Sequence, residues 1–156
     1  MVSIRSATVD DVEALLDLRA VMFDTVGPED QADHSWQRAC RQILLDGLTS
    51  RDLIGVVAET DDGVVVASGV ATIRRWLPSP INPSGLKGYI GSMATREPWR
   101  RQGLGRKITE NLIDQLAQRG VTEIELHATE AGENVYRSLG FANPSSPELR
   151  LHTDTG

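Results

Sequence analysis

The sequence predicts an α+β domain, an α/β sandwich with a mixed sheet of six to seven strands flanked by about four helices. Three observations carry this. Segments of strand character and of helical spacing follow one another in the order β α α β β β α β α β β. Glycine, proline and Asp-Gly signals punctuate the joins. The 156 residues, 40% hydrophobic and 24% charged, suit a single domain over residues 1–156 with an ordinary core.

Each element has its own signal. Residues 2–7, VSIRSA, alternate and read as a first strand. Thr8 and Asp11 form a capping-box pattern, and Asp10 and Glu13 add negative charge to the first turn. Val12, Leu15, Leu16, Arg19 and Met22 keep helical spacing to about Phe23, where TVGPED breaks the helix. A second helix is expected from about Glu29 or Asp33 to Gly47, with Trp36, Ala39, Cys40, Ile43 and Leu44 on its packed face. DLIGVVAET and VVVASGVATIRRW flank Asp61-Asp62-Gly63, which is hairpin chemistry. LPSPINPSG, with three prolines, is loop, and LKGYIGSMAT is the next strand. A helix follows from about Gly103 to Arg119, with Leu104, Ile108, Leu112 and Leu116 spaced by four, Ile113 beside them, and Gly120 as its left-handed end. VTEIELHAT is a strand with Ile124, Leu126 and Ala128 on one face. Glu133–Leu139 is a short helix stopped by Gly140, and FANPSSPELRLHT reads as two short strands around a Pro/Ser bend.

Composition narrows the function. A formal charge of −6 argues against a general nucleic-acid binder. No apolar window is long enough to span a membrane, and charges within the first residues of MVSIRSATVDDVEALL do not suit a signal peptide, so a cytoplasmic protein is expected. Cys40 is the single cysteine, which excludes an internal disulfide and a cysteine-rich zinc site; it is expected in the core. No metal is expected.

Against this acidic background, Arg96, Arg100, Arg101, Arg106 and Lys107 crowd around Gly103 and Gly105 at a helix start. The first N–H groups of a helix lack internal partners, and the macrodipole makes that end positive. Glycines let an anion approach the backbone. The spacing Gly-Leu-Gly-Arg-Lys-Ile lacks the third glycine of a dinucleotide fingerprint, and RRQGLGRK lacks the spacing and hydroxyl of a Walker A loop. What remains is a diphosphate held mainly by backbone amides.

Arg100-x-x-Gly103-x-Gly105 after GYIGSMAT resembles the Gln/Arg-x-x-Gly-x-Gly/Ala motif of the GCN5-related N-acetyltransferases (GNAT). IRSATVDDVEALLDLR is similar to that family's opening strand and helix, VTEIELHAT to the strand after its loop, and NVYRSLGF to its Leu-Tyr-x-x-x-Gly-Phe segment. The resemblance implies the GNAT acyl-CoA N-acyltransferase fold and acetyl-CoA as co-substrate. Its pyrophosphate would sit on the amides of Arg101, Gln102, Gly103, Leu104, Gly105 and Arg106, with Arg100 in the motif. Met93, Ala94 and Thr95 would face the pantetheine arm, and the N–H near Met93 would hold the thioester oxyanion. Tyr136 would protonate the departing thiolate. One departure stands out: Thr129 occupies a position where the family often has Asn, which leaves Asn134 or Glu130 to meet the pantetheine amide.

The stretch FDTVGPEDQADHSW would line the acceptor pocket, with Glu29, Asp30 and His34 as substrate-side residues. The general base stays open among Glu97, His127, Glu130, Glu29, Asp30, His34 and a water relay. The implied activity is acetyl transfer to a primary amine, of a small molecule or a peptide, by direct attack in a ternary complex; Cys40 lies in the wrong element to be a nucleophile. The other reading is a non-catalytic acyl-CoA-binding sensor or interaction module. A homodimer is expected only from the family's habit.

Overall fold

A computed structural model of the chain describes residues 1–24 and 35–154. Among these, five strands, β1 (Val2–Ser6), β2 (Leu53–Thr60), β3 (Val65–Arg75), β4 (Leu86–Thr95) and β5 (Glu123–Leu126), form one sheet in the order β1-β2-β3-β4-β5. The first three pairings are antiparallel and β4–β5 is parallel. Four helices accompany them: α1 (Val12–Asp24), α2 (Ser35–Ser50), α3 (Leu104–Gln118) and α4 (Glu133–Ser138). The mixed sheet and the helix number match the expectation. The strand number is a correction: the expected terminal pair is absent, and no strand follows β5 among the described residues. Pro144 and Pro147 remove two ladder donors from that segment, and it runs exposed beyond the sheet.

Helices cover both faces. Val12, Leu15 and Leu16 of α1 and Leu44 of α2 pack against Leu53, Val57 and Val70. On the other face, Leu104, Ile108, Leu112 and Leu116 of α3 pack against Ile54, Val56, Val66 and Ile90. The interior strand β2 is therefore buried from Leu53 through Ala58, which is why its sequence is a continuous apolar run instead of an alternation. Each fully buried Leu or Ile of α3 contributes about 2 kcal/mol of transfer free energy. The i, i+4 stripe of α3 is as predicted. On α2 the packed face is Trp36, Cys40, Leu44 and Leu48, whereas Ala39 and Ile43 are exposed. Cys40 is half-buried, and burial pushes its thiol pKa up. A protonated, partly covered thiol makes a packing residue.

The entry to α1 is tightly tied. Thr8 caps a single 3-10 turn, Val9–Asp11, and the predicted capping box is complete: the Thr8 N–H donates to Asp11 Oδ2 at 2.8 Å and the Asp10 N–H to Thr8 Oγ at 3.3 Å. Arg5 on β1 then forks onto Asp11, with Nη1–Oδ2 at 2.8 Å and Nη2–Oδ1 at 2.9 Å, and also pairs with Glu59 on β2. Asp11 is almost buried, and the Arg5 hydrogen bonds hold its carboxyl below the usual aspartate pKa. The stability this adds is present above the ordinary value of 3.8 and is lost as pH falls through the lower folded value. Asp11→Ala should cost about 2 kcal/mol at neutral pH, through the lost cap and charge-assisted bonds. In urea unfolding the gap between wild type and variant should be full at pH 7 and should narrow as pH falls below 3.8 through the lower folded value. A gap that does not narrow would refute this linkage.

Candidate active site

The ligand end of the fold is set by a bulge in β4. In the β3–β4 ladder, Ser68 faces Ala94 and Val70 faces Gly91, so Ser92 and Met93 both stand opposite Gly69. Ser92 adopts φ 59°, a left-handed conformation uncommon for a side-chain residue. The bulge turns Met93 into the core beneath α3. A Cβ on Gly69 would lie 2.5 Å from Met93 Sδ and 2.6 Å from Ile108 Cγ2, so only glycine admits this packing. On the other side of β4, β5 pairs with Lys87 through Ile90 and no further. From Gly91 to Thr95, β4 therefore presents an edge unpaired on the β5 side among the described residues, with the small Ser92 and Ala94 along it. Backbone donors and acceptors on that edge can meet an extended, amide-bearing chain.

The chain then passes through a second 3-10 turn, Glu97–Trp99, into α3. Arg101 takes φ 63° and Gly103 φ 78°, two left-handed positions in the turn that leads into α3. The N-cap, Gly103, supplies no side-chain hydrogen bond, in contrast to the capped entry at Thr8. The first intrahelical bond runs from the Lys107 N–H to the Gly103 carbonyl at 3.1 Å, which leaves the amides of Leu104, Gly105 and Arg106 without a helical acceptor. A Cβ on Gly103 or Gly105 would meet nothing within 4 Å. The surface is thus open, positive and rich in donors, which is what an anion such as a pyrophosphate needs.

The arginines divide by role. Arg100 Nε donates to the Thr95 carbonyl at 2.9 Å and Gln102 Nε2 to the Pro98 carbonyl at 3.3 Å, which brace the turn. Arg106 bridges two helices: Nε to Glu110 Oε1 at 3.0 Å and Nη1 to Ser138 Oγ at 2.7 Å. This link docks α4, and with it Tyr136, beside α3. Arg96 Nε is turned to the Val65 carbonyl at 3.3 Å, away from the glycines.

Tyr136 packs edge-on against Phe141 at 6.1 Å and against Gly132. Burial raises the phenol pKa, so it remains a proton donor at neutral pH. It lines a cavity of about 1360 Å³ along β5, together with Tyr89, His127 and Glu133. The Tyr89 and His127 rings meet edge-on at 5.8 Å. Of the bases weighed from sequence within the described residues, His127 lines this cavity, whereas Glu97 and Glu130 are exposed outside its lining. Glu29, Asp30 and His34 lie outside the described residues. Thr129, the departure from the family pattern, opens α4: its Oγ1 accepts from the Gly132 N–H at 3.3 Å and its carbonyl from Glu133 at 3.0 Å. Asn134 is exposed on α4. Sequence reading missed the Ser92 bulge and the Tyr89–His127 contact. Small residues at Gly91-Ser92 hint at the first, and no sequence signal marks the second.

Two glycine substitutions separate packing from openness. Gly69→Ala should cost about 1–3 kcal/mol by overpacking Met93 and Ile108. Gly105→Ala should leave stability unchanged or raise it by up to about 1 kcal/mol, because alanine favours the helix and meets no neighbour. Thermal unfolding of both variants checks this; a destabilised Gly105→Ala protein would contradict the open surface.

Known proteins share these features. The model of the Acetyltransferase (GNAT) family matches residues 13–141. The [Ribosomal protein bS18]-alanine N-acetyltransferase of Escherichia coli is 43% identical over 53 residues, 32% of this chain and 36% of the relative, so the match spans about a third of that protein's length. A GCN5-related N-acetyltransferase from Ralstonia eutropha superposes with a TM-score of 0.85 at 26% identity, covering 97% of this chain and 99% of that one. A predicted acetyltransferase from Clostridium acetobutylicum, solved with acetyl-CoA, shares the fold with a TM-score of 0.88 at 24% identity, covering 97% and 96% of the two chains. With more than half of its length matched by the family model, this chain belongs to the GNAT family of acetyltransferases.

Proposed function

We propose that this protein transfers the acetyl group of acetyl-CoA to a primary amine by direct attack in a ternary complex. The observation that carries the reading is the uncapped, glycine-open start of α3 standing at the same end of the sheet as the unpaired edge of β4. The amides of Arg101 through Arg106 take the pyrophosphate. The edge at Met93, Ala94 and Thr95 pairs with the pantetheine arm, which delivers the thioester to the Met93 N–H.

The chemistry then follows. The acceptor ammonium loses a proton to His127, directly or through water. The neutral amine attacks the thioester carbonyl carbon and forms the C–N bond, while the Met93 N–H stabilises the oxyanion. A preorganised donor of this kind is commonly worth about 3 kcal/mol of barrier. Collapse breaks the C–S bond, and Tyr136 gives its proton to the departing thiolate. Burial pushes the phenol pKa up, so Tyr136 is in its protonated form at neutral pH when the thiolate departs. The acceptor is a small amine or a peptide N-terminus, the latter supported by the relative that acetylates a ribosomal-protein alanine. The reading puts the reaction in the cytoplasm.

Release of CoA thiol from acetyl-CoA over a panel of primary amines and peptides tests this. Turnover is expected with one acceptor class. Tyr136→Phe should lower kcat about 100-fold with little change in acetyl-CoA affinity. Gly105→Val should weaken acetyl-CoA binding at least about 10-fold, roughly 1.4 kcal/mol, with the fold intact. Tight acetyl-CoA binding without turnover on any amine would replace the enzyme by an acyl-CoA sensor; absence of binding would remove both.

A further inference from the structure

We propose that the acceptor amine carries a carboxylate and that Arg74 holds it, so that the substrate is an amino acid or a short peptide with a free C-terminus. The inference rests on the acetyl-transfer reading above and names the class of its acceptor. The register of the sheet places the residues concerned. Arg74 faces Lys87 across the β3–β4 ladder, and Val70 faces Gly91. In the β4–β5 pair, Lys87 stands beside Glu123 and Tyr89 beside Glu125. Alternation puts these side chains, with His127 two residues further on, on one face of the sheet. It is the face on which Val70 packs with Val12, Leu15 and Leu16 of α1.

The cavity of about 1360 Å³ reaches this face, and most of its lining charges are matched. Lys87 Nζ takes both glutamates of β5, Glu123 at 3.4 Å and Glu125 at 3.3 Å. Arg137 pairs with Glu133 at 2.8 Å and Arg150 with Glu148 at 2.9 Å. Arg74 lines the same cavity, yet it makes no hydrogen bond and no ion pair to a described residue. Like charges directly opposite in a ladder repel each other. Here Lys87 keeps the carboxylates, and the Arg74 guanidinium lies over the Tyr89 ring, 5.9 Å from its centroid.

This seat leads to the reacting end. Tyr89 meets His127 edge-on at 5.8 Å. It also leans toward Gly91: a Cβ there would lie 3.2 Å from Tyr89 Cε1, so the glycine gives the ring its room. At Gly91 β4 has passed its last pairing with β5 and the open edge begins. One ring thus carries the unmatched guanidinium and abuts both the imidazole and the start of that edge. A carboxylate forked by Arg74 sets the amine of the same small molecule over Tyr89, between His127 and the Met93 end of β4.

Charge selects a carboxylate over a phosphate. The seat offers one unmatched cation, and Glu123 and Glu125 stand nearby on the same face. A single negative charge completes the arrangement, whereas a dianionic phosphate would bring a second charge toward those acids. An acceptor without an anion would leave Arg74 unmatched.

Matched acceptors test this. Amino acids and alanyl dipeptides with a free carboxylate, the same compounds as C-terminal amides, and phosphoethanolamine are each followed by CoA-thiol release. The free acids should be preferred at least about 10-fold in kcat/KM, about 1.4 kcal/mol, and the preference should sit in KM. Arg74→Ala should raise KM for the acids by about that factor and erase the preference, with kcat, thermal unfolding and acetyl-CoA affinity little changed. Arg74→Lys should restore part of it. Binding of the N-acetyl products to the CoA complex, titrated to about 1 mM, should depend on Arg74 in the same way. If no amine turns over but this binding holds, the acetyl-transfer reading falls and the carboxylate seat stands. Equal use of acids and amides, a preference for phosphoethanolamine, an Arg74→Ala defect of equal size on acids and amides, or no binding of any N-acetyl product would overturn the proposal. Turnover of the amides in such a case would leave the acetyl-transfer reading intact.

Discussion

Met93 reaches the core only because Gly69 has no side chain. That contact fixes the bulge at Ser92, and the bulge turns β4 just where β5 stops pairing with it. The same glycine lets Ile108 of α3 settle close to the sheet, so the helix start is positioned by the packing that shapes the strand edge. An anion surface and an edge able to take an extended ligand are therefore one rigid unit. Strain at Ser92 is of the kind that persists only where surrounding packing over-determines it. Here Met93, Gly69 and Ile108 supply that packing.

The two helix entries show how the same chemistry is used in opposite ways. At α1 the orphan amides are satisfied internally by Thr8 and Asp11, and Arg5 ties the cap to β1 and β2. At α3 no side chain caps the start, and the two glycines keep its approach clear. The first arrangement stabilises the fold, whereas the second leaves donors for a ligand. Arg106 joins the halves of the site: it lies on the first turn of α3 and reaches Ser138 on the helix that carries Tyr136.

Much of this was legible in the residues. The i, i+4 leucines of α3, the capping box, the Asp-Gly hairpin and the glycine turn are local patterns, and local physics decides them. Two things were not local. Ile43 and Ala39 fit a helical stripe as well as Leu48 does, and only the docking angle of α2 selects Leu48 and leaves Ile43 exposed. The segment from Phe141 to Asp154 carries strand periodicity, but a strand also needs a partner, and periodicity cannot name one. The bulge at Ser92 was no more than hinted at by the small Gly91-Ser92 pair, because serine carries no signature for a left-handed backbone; its cause is the missing side chain of Gly69 across the ladder, more than twenty residues earlier. His127 and Tyr136 come together only through the tertiary placement of β5 and α4.

The central claim is that the β4 edge past the bulge and the first amides of α3 are the groups that meet acetyl-CoA. Backbone amide exchange, followed residue by residue with and without acetyl-CoA, tests it most directly. The account predicts new protection at Met93 to Thr95 and at Leu104 to Arg106, with little change at Lys87 to Ile90, where β5 already covers the strand. Protection that appears elsewhere, or bound acetyl-CoA with these amides unaltered, would contradict it.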